Sequence, residues 1–347
     1  MSQLQLTRRQ VLMSAAAAAL AACTPGATSP SPSGSGARAV AQFKWLFGFT
    51  VQANPSMPVI VAKELGYYGQ EDINIAWDFT TDSTSIRLIG TNQYNAGSVS
   101  DVLTVANFVK QGIPLVAMVQ QGQDSARVFA VKQGSPIKRP KDFEGKKVGV
   151  KPGAPWTEYL AMLAYDKVDR TKITEVPVGF SSVELKDNLV DVLPVFIGNE
   201  PFVLKTQLNT PVDLILPKDF GAPLVGTTMV ANKDFIKNNR DAMLRFLKAT
   251  MKAQEYFIDH KAETVQMAVQ YGGTATTRAQ HEYIYDISQK DMQHPNGVGW
   301  IDKAKWQANL DILVNLKLIT DPPKIDDIVD DSLMKEILGA DKKVKYP

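Results

Sequence analysis

The sequence predicts an α/β protein made of two lobes. Residues 43–132 alternate short apolar runs with helical patterns, and a second alternating series begins at residue 147. Repeated strand–helix–strand units indicate parallel strands with helices on both faces of a sheet. From residue 232 onward the apolar spacing is almost wholly helical. We therefore expect a ligand cleft between the lobes, where loops at the strand ends converge.

The first 22 residues have the pattern of an export signal. Arg8 and Arg9 precede an apolar run that ends at Leu20, and this run is shorter than the roughly 20 apolar residues needed to span a bilayer. The sequence Leu-Ala-Ala-Cys ends at Cys23, the only cysteine in the chain. We predict a lipoprotein signal peptide over residues 1–22 and lipid attachment at Cys23; the alternative is a chance cysteine beside an ordinary cleavage site. The paired arginines also resemble a twin-arginine export motif, so the export route stays open.

Residues 23–41 are predicted to form a flexible tether. This segment is rich in proline, glycine and serine and contains almost nothing that can be buried. A coil of this composition reaches on the order of 20 Å. We therefore expect a folded body that is lipid-anchored at the extracytoplasmic face of the cell membrane without being part of it.

Composition excludes several classes of partner and cofactor. The 38 Lys and Arg residues nearly balance the 36 Asp and Glu residues, so there is no basic field for nucleic acid. A single cysteine allows neither an intrachain disulfide nor a zinc–cysteine cluster. His260, His281 and His294 lie far apart in no ligand spacing. We expect no metal and no cofactor.

The predicted elements follow the two alternating series. In the first series we expect strands at 43–49, 73–77 and 114–119 and helices at 58–68, 84–89 and 101–111. In the second we expect strands at 147–150, 173–178, 192–197 and 212–216 and helices at 155–165, 182–189 and 200–208. Four helices complete the chain, at 232–260, 262–271, 276–291 and 302–316.

These elements suggest where the chain passes between lobes. We expect it to cross near 127–132 and to return near 224–231, so that lobe 1 comprises 42–130 plus 228–347 and lobe 2 comprises 131–227. The C-terminal helices are expected to wrap lobe 1, with Trp300 and Trp306 in its core. Two crossings would form a hinge between the lobes.

Three segments resemble a known family. They are Val-Ala-Lys-Glu-Leu-Gly-Tyr-Tyr at 61–68, Gly-Ile-Pro-Leu-Val at 112–116, and Ile-Lys-Arg-Pro-Lys-Asp-Phe-Glu-Gly-Lys-Lys-Val-Gly-Val at 137–150. They are similar to substrate-binding proteins of ABC importers, in the branch that handles nitrate, sulfonates, thiamine pyrimidine precursors and riboflavin. The resemblance covers most of residues 43–320. It implies a two-lobed type II periplasmic-binding-protein fold, a small-molecule ligand, a membrane permease as partner and a monomer.

The resemblance also bears on the ligand. Thiamine-precursor members carry an Asn followed three residues later by His, whereas this chain has Asn54 followed by Met57. Methionine packs softly against aromatic faces, so the substitution favours a larger, apolar ring. The resemblance therefore favours riboflavin, with a thiamine pyrimidine precursor as the alternative.

Five candidate ligand-binding residues belong to the first series, one of which is Met57. Phe49 ends the first predicted strand, where it could stack on a ring or simply be a core aromatic. Asn54 could bind the edge of a heterocycle, although Asn before Pro is also a common turn. Ser100 and Asp101 open a helix, where capping and ligand binding are compatible roles.

Three further candidates belong to the second series. Trp156 follows a stiff, polar loop and could stack on the ligand or pack internally. Asn199 and Glu200 lie between a strand and a helix. Glu200 could accept hydrogen bonds from the ligand, or it could be an acid favoured at a helix N-terminus.

No catalytic constellation accompanies these candidates. The Ser-x-x-Lys pattern at 135–138 lacks the Ser-Asp-Asn and Lys-Thr-Gly partners of penicillin-binding enzymes. We therefore predict a binding protein and not an enzyme. The alternatives are a binding-protein-fold enzyme of the menaquinone-pathway dehydratase type and a lipoprotein sensor.

Overall fold

Ten strands and fourteen α-helices make up the described part of the chain. The computed structural model describes residues 38–48, 52–80, 82–100, 102–151, 156–274 and 276–346. The predictions for the signal peptide, Cys23, most of the tether, Phe49 and Asp101 lie outside these residues.

The strands are β1 (Ala41–Phe47), β2 (Ile73–Phe79), β3 (Ala96–Val99), β4 (Leu115–Gln120), β5 (Arg127–Lys132), β6 (Lys147–Val150), β7 (Thr174–Pro177), β8 (Leu193–Phe196), β9 (Val212–Ile215) and β10 (Thr228–Asn232). The helices are α1 (Pro58–Glu64), α2 (Tyr67–Gln70), α3 (Asp82–Gly90), α4 (Val102–Lys110), α5 (Thr157–Tyr165), α6 (Val183–Lys186), α7 (Glu200–Thr206), α8 (Lys233–Asn238), α9 (Arg240–Asp259), α10 (Lys261–Gly272), α11 (Arg278–Asp291), α12 (Lys303–Asn315), α13 (Ile325–Ile328) and α14 (Ser332–Ile337).

The first sheet has the strand order β2-β1-β3-β10-β4. Strand β1 is rich in aromatic residues, and Phe43, Trp45 and Phe47 are all buried. The ring of Phe43 stacks on Phe246 of α9, with 4.0 Å between ring centroids. Because such rings bury large apolar areas, this contact fixes the long helix α9 on one face of the sheet. Helices α4 and α12 cover the other face.

The second sheet has the strand order β8-β5-β9. Strands β6 and β7 form a parallel pair beside it, and a parallel bridge joins Val148 to Val192 just before β8. Phe129 on β5 packs with Phe143 and Tyr159 in a core between this sheet and α5. Each sheet thus has its own hydrophobic core, as the two-series pattern predicts.

Strands β5 and β10, at the two predicted crossings, are exceptions to the parallel direction predicted from the strand–helix–strand units. Strand β5 is antiparallel to β8 and β9, and β10 is antiparallel to β3 and β4. Both strands are the ones that carry the chain from one sheet to the other. The chain leaves a sheet at the carboxyl end of a strand and enters the next sheet from that same side, so the entering strand runs against its neighbours.

Two predicted helices also differ from the structure. The expected helix 232–260 is broken into α8 and α9 at Asn239, whose backbone leaves the helical region with φ −135° and ψ 38°. The expected helix at 182–189 shortens to the four residues of α6, because Ser182 and Asn188 both adopt positive φ. The C-terminal helices do pack on the first sheet, and α13 and α14 extend them.

The C-terminal region also protects an edge of the first sheet. Strand β4 is last in the order, yet all six of its residues are buried. Val329 forms a parallel bridge to Ala117 of β4, and covering an exposed edge in this way prevents strand pairing between molecules. Trp306 is buried as predicted, in the core with α4, whereas Trp300 is only partly buried, against the core that contains α9. No helix among the described residues is long and apolar enough to cross a membrane.

Candidate ligand-binding cavity

A cavity of about 680 Å³ lies where the strand ends of both sheets meet. This volume falls within the usual range for small-molecule sites, roughly 300–1,000 Å³. Its described walls come from the ends of β1, β3 and β8, from the segments between sheets, and from α11: Gly48, Gln52, Asn54, Pro55, Ser100, Asp124, Ser125, Ala126, Arg127, Val128, Phe196, Ile197, Gly198, Asn199, Leu216, Pro217, Lys218, Ala222, Leu224, Thr227, Ile284, Ile287, Ser288, Lys290 and Asp291.

The fold explains why the cavity forms at this place. Gly48, Ser100 and Ile197 each directly follow a strand whose carboxyl end faces the cavity. Ligands of open α/β sheets bind at the carboxyl ends of the strands. The two segments between the sheets, residues 121–126 and 216–227, close the cavity at its base.

The two connecting segments approach each other very closely. At Gly226 an added Cβ would lie 2.2 Å from the carbonyl oxygen of Asp124 and 2.8 Å from that of Gly122. Only glycine permits this backbone contact. The two segments therefore form a paired strip at the base of the cavity.

Three of the predicted site residues line the cavity. Asn54 lies in its wall, and its Oδ1 accepts a hydrogen bond from the amide of Ser56 at 3.0 Å, which fixes the turn before α1. Ser100 lies at the end of β3. Asn199 precedes α7, and its Oδ1 accepts a hydrogen bond from Nε2 of Gln280 at 2.7 Å. The structure thus brings residues from both series to one place.

Met57 and Glu200 are not among the described residues that line the cavity. Met57 is 1% exposed and belongs to the core of the first sheet. Glu200 is equally buried; its Oε2 accepts the amide of Phe196 at 2.9 Å, and its Oε1 lies 3.6 Å from Nζ of Lys151. Burial raises the pKa of Glu200 and lowers the pKa of Lys151. This geometry makes Glu200 a support for the wall formed by Phe196.

Trp156 stands behind the cavity wall. Its ring packs against Phe196, with 5.3 Å between centroids, and against Phe129 at 6.2 Å. The guanidinium carbon of Arg127 lies 5.6 Å from the ring centre. Phe196 and Arg127 line the cavity in front of it. The aromatic ring that the described wall presents to a ligand is therefore Phe196.

Arg127 is held by a second buried acid. Its Nη1 lies 3.7 Å from Oε2 of Glu158, and the hydroxyl of Ser125 donates to Oε1 of Glu158 at 2.6 Å. Glu158 is 1% exposed. Pairing with a buried acid fixes the guanidinium in place, so Arg127 contributes a positioned charge to the wall.

A network of two acids and two lysines lies at the base of the cavity. The carboxylate of Asp124 accepts hydrogen bonds from Nζ of Lys218 at 2.8 Å and of Lys305 at 2.9 Å. The amide of Asp124 donates to Oδ1 of Asp291 at 2.9 Å. The lysines hold the pKa of Asp124 below its usual value despite burial, whereas burial raises the pKa of Asp291 to about 6.

Sequence reasoning missed Phe196, Arg127, Asp124, Asp291 and Lys218. Phe196 had a usable signal, because it lies next to the end of the strand predicted at 192–197. The acids had none, since Asp124 and Asp291 are 167 residues apart and meet only in the fold. Among the described residues there is no group of three or more His, Cys, Asp or Glu side chains arranged to hold a metal.

These features define a class of protein. Two sheets whose strand ends face one cavity, joined by two connecting segments, form the two-lobed type II fold of periplasmic binding proteins. Residues 54–264 match the family model described as NMT1/THI5-like, and the chain belongs to this family.

Comparisons with individual proteins agree with this assignment. The riboflavin-binding protein RibY of Chloroflexus aurantiacus is 21% identical over 281 residues, which cover 76% of this chain and 78% of RibY. Among solved structures, the sulfonate-binding protein SsuA of Methylobacillus flagellatus matches with a TM-score of 0.67 at 13% identity, covering 86% of this chain and 93% of SsuA.

Two further structures share the fold. The nitrate-binding protein NrtA of Synechocystis matches with a TM-score of 0.63 at 14% identity, covering 89% of this chain and 92% of NrtA. The desulfurization enzyme DSZB matches with a TM-score of 0.58 at 12% identity, covering 85% of this chain and 98% of DSZB. At such identities the likeness concerns the fold alone, which both binding proteins and an enzyme use.

Proposed function

We propose that this protein is the extracytoplasmic substrate-binding component of an ABC importer and that its ligand is riboflavin. The chemistry of the cavity carries the proposal. Its apolar wall, with the ring of Phe196, suits a flat heteroaromatic system, and its base, with Asp124, Asp291 and Ser288, suits a hydroxylated tail. The match to RibY over three quarters of the chain supports the same ligand.

Ligand capture follows from the two-sheet architecture. A ligand that enters between the sheets contacts both walls and so stabilises the closed form. The strip formed by 121–126 and 216–227 acts as the hinge. The two lobes that move about it correspond approximately to residues 42–130 plus 228–347 and to residues 131–227. A membrane permease then recognises the closed monomer. The protein delivers the vitamin from a lipid anchor on the outer face of the cell membrane.

Titrating the protein into riboflavin and following flavin fluorescence tests the proposal. Stacking on an aromatic ring is worth roughly 0.5–1.5 kcal/mol beyond burial, so Phe196→Ala should weaken binding by several-fold. Trp156→Ala should weaken it less, because Trp156 acts through Phe196. The matched control is Tyr165→Ala, which removes a 61% exposed aromatic in the same part of the chain and should leave the affinity unchanged.

Absence of quenching at micromolar protein would contradict riboflavin as the ligand. Calorimetric heat from a thiamine pyrimidine precursor in the same experiment would favour the alternative predicted from the sequence. An enzyme remains the second candidate, because DSZB has the same fold. Recovery of the bound ligand after long incubation decides this point: a binder returns it with unchanged mass, and an enzyme returns a product.

A further inference from the structure

Asp291 is the last residue of α11, and it faces the cavity from a fixed position. Its Oδ1 accepts the amide hydrogen of Asp124 at 2.9 Å, and its carbonyl oxygen accepts the amide hydrogen of Gln123 at 3.0 Å. An added Cβ at Gly122 would lie 2.5 Å from its Oδ2. The carboxyl group of this cavity-lining residue is therefore held against the connecting segment: Oδ1 accepts the Asp124 amide, and Oδ2 lies against Gly122.

The neighbouring cations are engaged with a different acid. Lys218 and Lys305 both donate to the carboxylate of Asp124. Lys290, the adjacent residue on α11, is exposed and also lines the cavity. Among the described residues there is no ion pair to Asp291 and no donor to its Oδ2. A ligand donor can therefore take this acceptor position.

The charge of the network favours some ligands over others. With Asp291 ionised, the two acids balance Lys218 and Lys305. Burial and the nearby Asp124 raise the pKa of Asp291 to about 6, while the Asp124 amide and both lysines oppose this. The group is therefore ionised at neutral pH, and an anionic ligand at the base of the cavity would meet a carboxylate whose network carries no surplus cation. The other cations of the wall are Lys290 and Arg127, which is paired with the buried Glu158.

We propose that Asp291 is the specificity-determining residue of the cavity: it accepts a hydrogen bond from a hydroxyl or N–H group of a neutral ligand and disfavours anions such as sulfonates. This inference rests on the proposed function. Hydrogen bonds to an ionised acceptor are roughly twice as strong as those between neutral groups, so one such contact distinguishes a donor-bearing ligand from an anion.

The variant Asp291→Asn tests the inference, because it keeps the shape and an oxygen for the Asp124 amide while removing the charge. Riboflavin affinity, measured by fluorescence quenching at pH 7.5, should fall about tenfold. Affinity of the unaltered protein should fall between pH 7.5 and pH 5, whereas affinity of the variant should stay constant. Methanesulfonate binding, measured by calorimetry, should be stronger in the variant.

Two controls separate this role from a structural one. Asp286→Asn changes an acid on the same helix that pairs with Lys261 on the surface, and it should leave riboflavin affinity unchanged. In thermal unfolding without ligand at pH 7.5, Asp291→Asn should be at least as stable as the unaltered protein. A carboxyl whose pKa is raised in the folded state destabilises the protein when it ionises, as the pH rises from about 4 to about 6, and the variant lacks this effect. A clear loss of stability would overturn the specificity role.

Failure of the inference differs from failure of the proposed function. Equal riboflavin affinity in both proteins, with a flat pH profile, would overturn the role of Asp291 and leave riboflavin as the ligand. Methanesulfonate binding by the unaltered protein without any flavin quenching would overturn both.

Discussion

Glu200 and Lys151 show how burial decides the chemistry of a single pair of residues. Both side chains are nearly inaccessible, and Nζ of Lys151 also donates to the carbonyl of Gly179 at 2.6 Å. The pKa of Glu200 rises and that of Lys151 falls, so desolvation outweighs their mutual attraction. Removing one partner of such a pair lowers the stability of the protein, because the other charge is left buried without its partner.

We therefore expect Lys151→Met to destabilise the protein by about 3 kcal/mol at pH 8. The loss of stability in Lys151→Met should be smaller at pH 5. Without Lys151 the pKa of Glu200 is raised further, so the destabilising effect of its buried charge appears only as the pH rises. Urea denaturation at the two pH values measures this. Glu200→Gln provides the comparison, and a pH dependence equal in both variants would contradict the argument.

Glu200→Gln also tests the sequence prediction that Glu200 binds ligand. The structure indicates that Glu200 acts through Phe196, whose amide it holds, so riboflavin affinity should change little in this variant. A large loss of affinity without loss of stability would restore the direct role.

At the scale of elements, α11 links the two sheets. It packs on α9 and α10 beside the first sheet, while the hydroxyl of Tyr283 donates to the carbonyl of Ile197 at 3.0 Å, just after β8. The rings of Tyr283 and Phe202 lie 5.5 Å apart. Together with the bond between Gln280 and Asn199, these contacts hold the sheets in the arrangement that encloses the cavity.

Tyr283→Phe should weaken riboflavin binding about two- to tenfold, because it removes one hydrogen bond, worth about 0.5–1.5 kcal/mol, from the closed arrangement. Tyr285→Phe is the matched control on the same helix, since the hydroxyl of Tyr285 bonds only within the first part of the fold, to Phe257 and Ile258. It should lower the melting temperature and leave affinity unchanged. Equal effects of the two changes on affinity would contradict a role for α11 in closure.

The sequence predicted element positions well where local signals are strong. Strand β6 has the bounds expected from Lys-Val-Gly-Val, and the helix expected at 276–291 is α11 with two residues fewer. The break at Asn239 escaped prediction because apolar spacing continues across it. The reversed directions of β5 and β10 depend on how the chain passes between sheets, which periodicity does not report.

The site residues, too, could be predicted where the sequence signal is local and not where it depends on distant contacts. Asn54, Ser100 and Asn199 follow strands in the sequence, and the strand-end rule places such residues at the cavity. Met57 is the N-cap residue of α1 and Glu200 is the first residue of α7, and both side chains are buried away from the cavity. The network of Asp124 and Asp291 depends on contacts across 167 residues, for which a single sequence has no signal.

At the scale of the whole molecule, the chain is predicted to be tethered through Cys23. Cys23→Ala should move the protein from the membrane fraction to the soluble fraction of cells, because it removes the residue predicted to carry the lipid anchor. Riboflavin binding by the released protein should be unchanged, since the cavity lies elsewhere in the chain. Retention in the membrane fraction would contradict lipid attachment at this residue.

The position of β10 has a consequence for how the protein is made. This strand lies between β3 and β4 and hydrogen-bonds to both, yet it follows all the strands of the second sheet in the chain. The last strand of the second sheet ends at Ile215, so this sheet can form first during synthesis. The first sheet cannot be completed until residues 228–232 have emerged from the ribosome. The N-terminal half of the first sheet is thus translated early but completed late, and until then the edges of β3 and β4 are open to chaperones and to aggregation.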